Sequence, residues 1–370
     1  MNPFLLKGYI SSEFFCDREE ETDKIVNSIR NQQDITVHSI RRMGKSSLLK
    51  HVEQALGDDC YFIYVDIWGS SSVSELLKEL SNGVIRSSIF SSRGFGKKLQ
   101  DFVKSLGTSF TLGLDGRPSV DIVYNDRIST FKSLEEIIAF LNNQDKRVVL
   151  AIDEFQEVKK YGPDSTPIEA TFRKLTQQSH NITFIYSGSE QHLINEIFNT
   201  YDRPFFQSTR MIHLGAIDKE KYQAFILEKF NSGKKQISDE LVSKILDATY
   251  RHTYYVQATF NYLYSLRKVP KTWNEFEQVY YPYIDEKGVF YAELPDRITP
   301  QQFVVTKAFA RFGRVYAPTG NEFLQFAGFT NSSSMLRVIN ALLSKQIIIK
   351  EEDSYRLYDV FLEHYLKYNA

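Results

Sequence analysis

The stretch DITVHSIRRMGKSSLLKH, residues 34–51, decides how the chain is read. Residues 35–39 are a short apolar, β-branched run, which predicts a buried strand. Residues 45–56 carry apolar positions at helical spacing. Between them lies Ser39-Ile40-Arg41-Arg42-Met43-Gly44-Lys45-Ser46. The spacing is that of the phosphate-binding pattern G-x-x-x-x-G-K-[ST], with serine in place of the first glycine. Such a loop works by turning successive backbone N–H groups inward, with a helix N-terminus behind them and one lysine beside them. Gly44 allows the backbone to approach a phosphate, Lys45 would bridge the outer phosphates, and Ser46 would coordinate Mg²⁺. Ser39, Arg42, Met43 and Ser47 complete the loop residues expected against the nucleotide. The first glycine mostly eases the exit from the strand, so its replacement leaves both a working loop and a degenerate one open.

About a hundred residues on, RVVLAIDEF (residues 147–155) is a continuous apolar run ending in Asp153 and Glu154. An Asp at such a strand end can hold magnesium, and a Glu beside it can polarise the attacking water. The plainer alternative is an acid pair opening a helix. A third apolar strand ends in IYSGS, where a polar side chain of Ser187–Ser189, with Ser187 the candidate, would lie near a γ-phosphate; a Gly-Ser turn closing the strand is the alternative. In a sheet of this class that strand lies between the other two.

The rest of the chain bounds the reading. At 370 residues it is too long for one compact core, so two or three domains are expected. A hydrophobic fraction of 42% and a net charge of −1 suit a soluble globular protein, with no global pull toward nucleic acid. Cys16 and Cys60 make neither a disulfide framework nor a zinc site, which suggests buried thiols in a reduced, cytoplasmic setting. No run approaches the ~20 apolar residues of a membrane span, and the N-terminus lacks a signal-peptide core, so no membrane partner is expected. The seven histidines show no metal spacing. Continuous apolar strands alternating with helices predict a parallel sheet covered on both faces. SFTLGLDGRPSVDIV, residues 109–123, reads as a hairpin turning at Asp115-Gly116. RGFGKK, residues 93–98, has no strong strand before it and reads as a helix-start loop.

After Asp218 the pattern is helical only. From about residue 299, two helical segments precede NSSSMLRVINALLSKQ, and IIIKEEDSYRLYD then reads as a two-stranded wing. Helix, helix, helix, wing is the order of a winged helix-turn-helix. Its third helix is expected to bury Met335, Val338, Ile339, Leu342 and Leu343, and to show Ser332, Ser333, Arg337 and Asn340 on the other face. Residues 297–370 hold nine Lys/Arg against six Asp/Glu, only mildly basic for a duplex reader. Glu351-Glu352-Asp353 is expected at the wing tip, where it would repel a phosphate backbone. The domain reading is a P-loop nucleotide-binding α/β domain at 1–217, a helical bundle at 218–296 and a winged helix at 297–370.

FFCDREEE, RRMGKSSLL, LAIDEFQEV, IYSGS, RPFFQSTRMIHL and the wing together resemble the STAND-type P-loop ATPases of the AAA+-like group, in the prokaryotic branch often called archaeal-type ATPases. Relatives there often carry Ser-Pro-Arg-Arg-x-Gly-Lys-Thr in the loop, so Ser39 fits that branch, with Ile40 for the proline. The resemblance implies ATP/ADP and Mg²⁺ as ligands and Arg18 close to the adenine side. It implies Arg210 as an arginine finger from its own or a neighbouring subunit of a homo-oligomer, with Arg203 as rival and a salt bridge as the alternative for each. Where relatives show Gly-x-Pro-Tyr-Tyr-x-Gln, this chain has Arg251-His252-Thr253-Tyr254-Tyr255-Val256-Gln257, which puts base contact by that segment in question. Three functions follow: an ATP-hydrolysing switch using Lys45, Ser46, Asp153 and Glu154; a non-hydrolysing scaffold that binds DNA or protein through the winged helix; and, least supported by the charge, a DNA loader or transposition-type regulator.

Overall fold

The computed structural model describes residues 1–90, 99–102, 110–112, 118–120 and 127–369. It divides into two compact units: Leu5–Lys221 with His252–Tyr254, and Met1–Phe4 with Tyr222–Arg251 and Tyr255–Ala370. Among the described residues no helix is long and apolar enough to cross a membrane.

In the first unit, β1 (Ile35–His38), β2 (Cys60–Asp66), β5 (Arg147–Asp153), β6 (Ile182–Gly188) and β7 (Arg210–His213) form one sheet in the order β2-β5-β6-β1-β7. Every pairing is parallel. β3 (Phe110–Leu112) and β4 (Pro118–Val120) pair with each other as the hairpin expected between them. Its Asp115-Gly116 turn and the RGFGKK segment lie outside the described residues; residues 99–102 are helical.

The apolar runs are continuous because both sheet faces are buried. Along β5, Val148, Leu150 and Ile152 join Phe184 and Tyr186 of β6 in a core with Leu76, Leu77 and Leu80 of α3 (Val73–Arg86). The intervening Val149 and Ala151 join Ile35, Val37 and Ile185 in a second core. That core is closed by α1 (Glu19–Arg30) through Ile25 and Ile29, and by α2 (Lys45–Leu56) through Leu48, Leu49 and Val52. Since all strands run one way, the residues after β1, β5 and β6 gather along one sheet edge.

In the second unit the winged helix comprises helices Pro300–Phe312, Asn321–Phe326 and Ser332–Ser344, then the antiparallel pair β8 (Ile348–Glu351) and β9 (Ser354–Leu357). Thr299 and Gln302 form a capping box with Pro300 in the first turn, and the Asn331 side chain accepts from Ser333 N and Ser334 N. Met335, Val338, Ile339 and Leu342 are buried as expected, whereas Leu343 is half-buried. Among the helices not singled out in the sequence are Trp273–Asp285, which contains Pro282, and Val360–Tyr368, which buries Glu363.

The wing also corrects one expectation. Glu351 is not at the exposed tip: its carboxylate accepts from Arg356 Nε at 2.8 Å and Arg356 Nη2 at 2.6 Å, and from Arg314 at 3.3 Å. Only Glu352 and Asp353 are exposed there. Arg356 is buried and lies 4.7 Å from the Tyr250 ring, while the Tyr250 hydroxyl donates to Glu363 Oε1 at 2.7 Å.

Burial pushes the Glu363 carboxyl up to about 7, against the pull of the Tyr250 hydroxyl and Arg356. A raised carboxyl contributes stability that is fully present below its ordinary 4.5 and is lost as pH rises through about 7. Glu363→Gln keeps an acceptor for Tyr250 but cannot titrate. It should gain on the wild type by about 3 kcal/mol between pH 4.5 and pH 8 in urea unfolding of this unit. His364, pushed down to about 4 by burial, has the opposite slope but is common to both proteins. A pH-independent difference between the two would refute the assignment.

Candidate active site

The loop leaves β1 at His38, and Ser39 N still donates to Gly188 O at 3.4 Å, alongside β6. Ser39 is buried and is not among the residues with left-handed φ, so the missing glycine leaves no backbone strain at that point. Left-handed turns come instead at Arg42 (φ 63°) and Gly44 (φ 98°). The second suits glycine; the first costs arginine about 1 kcal/mol. Gly44 O accepts from Leu48 N at 2.9 Å and opens α2.

Lys45 is 5% exposed, and its ammonium lies 3.5 Å from Ser39 Oγ. Burial holds its pKa below the ordinary lysine value, opposed by the charges of Glu154 and Asp153. The hydroxyl that replaces the first glycine therefore provides the lysine with a polar neighbour.

Asp153 ends β5 with its carboxylate surrounded by donors. Ser46 Oγ donates to Oδ2 at 2.7 Å and the Tyr64 hydroxyl donates to the same oxygen at 2.6 Å. Ser187 Oγ and, at 3.0 Å, Glu154 N donate to Oδ1. Glu154 itself is left-handed (φ 57°). Its Oε2 accepts from Ser189 Oγ at 2.6 Å, from Ser189 N at 3.3 Å and from Gln156 Nε2. Gln156 is fully buried against Gly188, where an added Cβ would collide with its Oε1 and with Ile194.

The fold thus brings Ser39, Lys45, Ser46, Asp153, Glu154 and Ser187 to one sheet edge, with Ser47 half-buried in the first turn of α2. Arg42 and Met43 are engaged from residues 252–254. The Arg42 guanidinium lies 4.5 Å over the Tyr254 ring, Thr253 Oγ1 donates to Met43 O at 3.1 Å, and His252 Nε2 lies 3.1 Å from Arg41 O. The segment that lacks the relatives' glycine and proline therefore grips the loop backbone. Arg18 is buried and left-handed (φ 80°), donating to Gly215 O at 2.7 Å and to Glu21 at 2.8 Å.

Arg210 lies at the other end of the sheet. It pairs with Ile35, the first residue of β1, and donates to Ser28 Oγ at 3.1 Å. Three residues at ~3.3 Å rise separate that level from the loop. Arg203 is held by Glu196 and Glu169. Tyr64, Gln156 and Arg41 were not singled out in the sequence, and Ser189 was read only as the end of the IYSGS segment. Tyr64 alone left a signal, as a polar-tipped residue near the end of a strand neighbouring β5.

A parallel sheet with a phosphate loop after its first strand, an acidic pair after a strand two positions away and a serine-bearing strand between them defines a P-loop ATPase fold. The chain belongs to the family described as "ATPase domain predominantly from Archaea", which matches residues 15–249. A second family, "Probable winged helix domain", matches residues 289–368. Among solved structures, the chain is similar to the Walker-type ATPase paby2304 of Pyrococcus abyssi, with TM-score 0.66, 19% identity, and 99% of each chain covered. It is also similar to the Aeropyrum pernix ORC2 protein in ADPNP-ADP complexes, with TM-score 0.55, 11% identity, and 100% of this chain and 98% of that one covered. The Aeropyrum pernix ORC1 protein in complex with DNA matches with TM-score 0.51 and 10% identity, over 96% of this chain and 93% of that one. At these identities the likeness concerns the fold. No curated protein sequence matches the chain.

Proposed function

We propose that the protein is an ATP-binding, ATP-hydrolysing switch of the AAA+-like STAND type, whose nucleotide state is passed to its winged helix or to an oligomer. The observation that carries this reading is the convergence on Asp153 of the Ser46 and Ser187 hydroxyls, with Lys45 buried beside them and Glu154 next in the chain. Ser46 and Asp153 supply oxygen donors, which suit Mg²⁺; bound there, the ion would neutralise phosphate charge. Lys45 would pair with the outer phosphates, the loop amides of residues 42–47 would cradle them, and Arg18 would lie toward the base. Glu154 would polarise the attacking water. Arg210 would act only across a subunit boundary of a homo-oligomer. The domain division at 1–217, 218–296 and 297–370 belongs to the same proposal, as does a cytoplasmic setting, supported by two buried free thiols.

For the winged helix, a protein partner is favoured over DNA. The outer face of helix Ser332–Ser344 exposes Leu336 with a single arginine, Arg337, and the wing turn exposes Glu352 and Asp353. DNA, the ligand of the Aeropyrum pernix ORC1 complex, is the rival. It predicts affinity falling steeply with salt, whereas a protein-docking face does not.

The test is Mg²⁺-dependent ATP turnover by the wild type, with ATP affinity measured beside Lys45→Ala. Turnover that stops on chelation is expected, together with about 100-fold weaker ATP binding by the variant, since a buried charge-assisted contact is lost. Binding without turnover, alone or with DNA, would instead favour a nucleotide-stabilised scaffold. Unchanged affinity in the variant would remove the loop from the reading.

A further inference from the structure

We infer that Ser189 is a positioning residue for Glu154, and that Arg41 of the phosphate loop sets the direction of its hydrogen bond, so that the loop and the carboxylate are tied together. This rests on the hydrolytic reading of the site. The geometry is one-sided. Ser189 Oγ, Ser189 N and Gln156 Nε2 all donate to Glu154 Oε2. Among the described residues, none of the hydrogen bonds to this carboxylate ends on Oε1. One oxygen is pinned and the other is presented, which is what a water-polarising carboxylate needs if its rotamer is to be set before substrate arrives.

The hydroxyl has one hydrogen. Arg41 Nε lies 3.2 Å from Ser189 Oγ and can only donate. Ser189 therefore accepts from Arg41 and gives its own proton to Glu154. Arg41 is steadied at its other end by Glu190, 3.7 Å from Nη2. Gln156 is held in place by the room that Gly188 leaves and by burial. A loop that changes shape around phosphate would move Arg41, and with it the direction of the serine hydroxyl.

The experiment compares wild type, Glu154→Gln, Ser189→Ala, Ser189→Thr and Arg41→Met in steady-state ATP turnover. Expected for Ser189→Ala is a kcat about tenfold lower with KM within about twofold. Ser189→Thr should restore kcat, and Arg41→Met should show the same loss to a smaller extent. Wild-type turnover that Glu154→Gln abolishes but Ser189→Ala leaves unchanged overturns the positioning role while sparing the hydrolytic reading. Faster turnover in Ser189→Ala also overturns it, since Ser189 would then restrain Glu154. If the wild type itself does not turn over, both fall.

Discussion

Glu154→Gln is expected to lower ATP turnover by about three orders of magnitude while leaving ATP affinity within about threefold. General-base assistance contributes roughly 10²–10⁴ in rate, and an amide cannot supply it. The substitution is nearly isosteric, so the introduced amide can keep its carbonyl oxygen on Ser189 and Gln156. Its NH₂ then occupies the place of the free carboxylate oxygen, and a donor stands where an acceptor was needed. Removing a negative charge near the buried Lys45 does not weaken that lysine's hold on phosphate; it frees the ammonium from a competitor. The measurement is kcat by phosphate release beside Kd for ATP by calorimetry. Wild-type turnover in the variant would show that Glu154 does not polarise the water.

The second large effect lies in the winged helix. Arg356→Met should destabilise this unit by about 3 kcal/mol, because it breaks a largely buried pair by removing one partner. Arg356 makes two hydrogen bonds to Glu351 and lies over the Tyr250 ring, with its side chain 1% exposed. Methionine fills a similar volume, so most of the loss comes from the carboxylate left behind rather than from a cavity. Glu351→Gln added to Arg356→Met should therefore recover part of the loss. Amide exchange of β8 and β9 under increasing urea reports the change in this unit alone. A loss under about 1 kcal/mol would mean that the pair is structurally neutral.

The loop and the acidic pair could be read before any fold was known because each is local. A strand, six residues and a lysine at a helix start suffice for the first; an apolar run ending in Asp153-Glu154 suffices for the second. Their pairing across β6 followed from the strand order of the class. The groups around them were not readable, because hydrogen bonds join residues far apart: Tyr64 reaches Asp153 across 89 residues, and Arg41 reaches Ser189 across 148. Two helices hid for a related reason. Pro282 reads as a breaker until the helix around it is seen, and a helix that turns Glu363 and His364 inward has no clean apolar face.

What the sequence by itself determined is the sheet and the chemistry of its edge, since burial on both faces demands continuous apolar strands and a phosphate loop demands Gly44, Lys45 and Ser46 in order. Tertiary structure alone decided which groups orient Glu154, that Arg210 stands at the far end of β7, and that Glu351 turns inward to Arg356 rather than outward at the wing. Those outcomes depend on which chain segments pack side by side, and side-chain contacts of that kind have no period in the sequence to betray them.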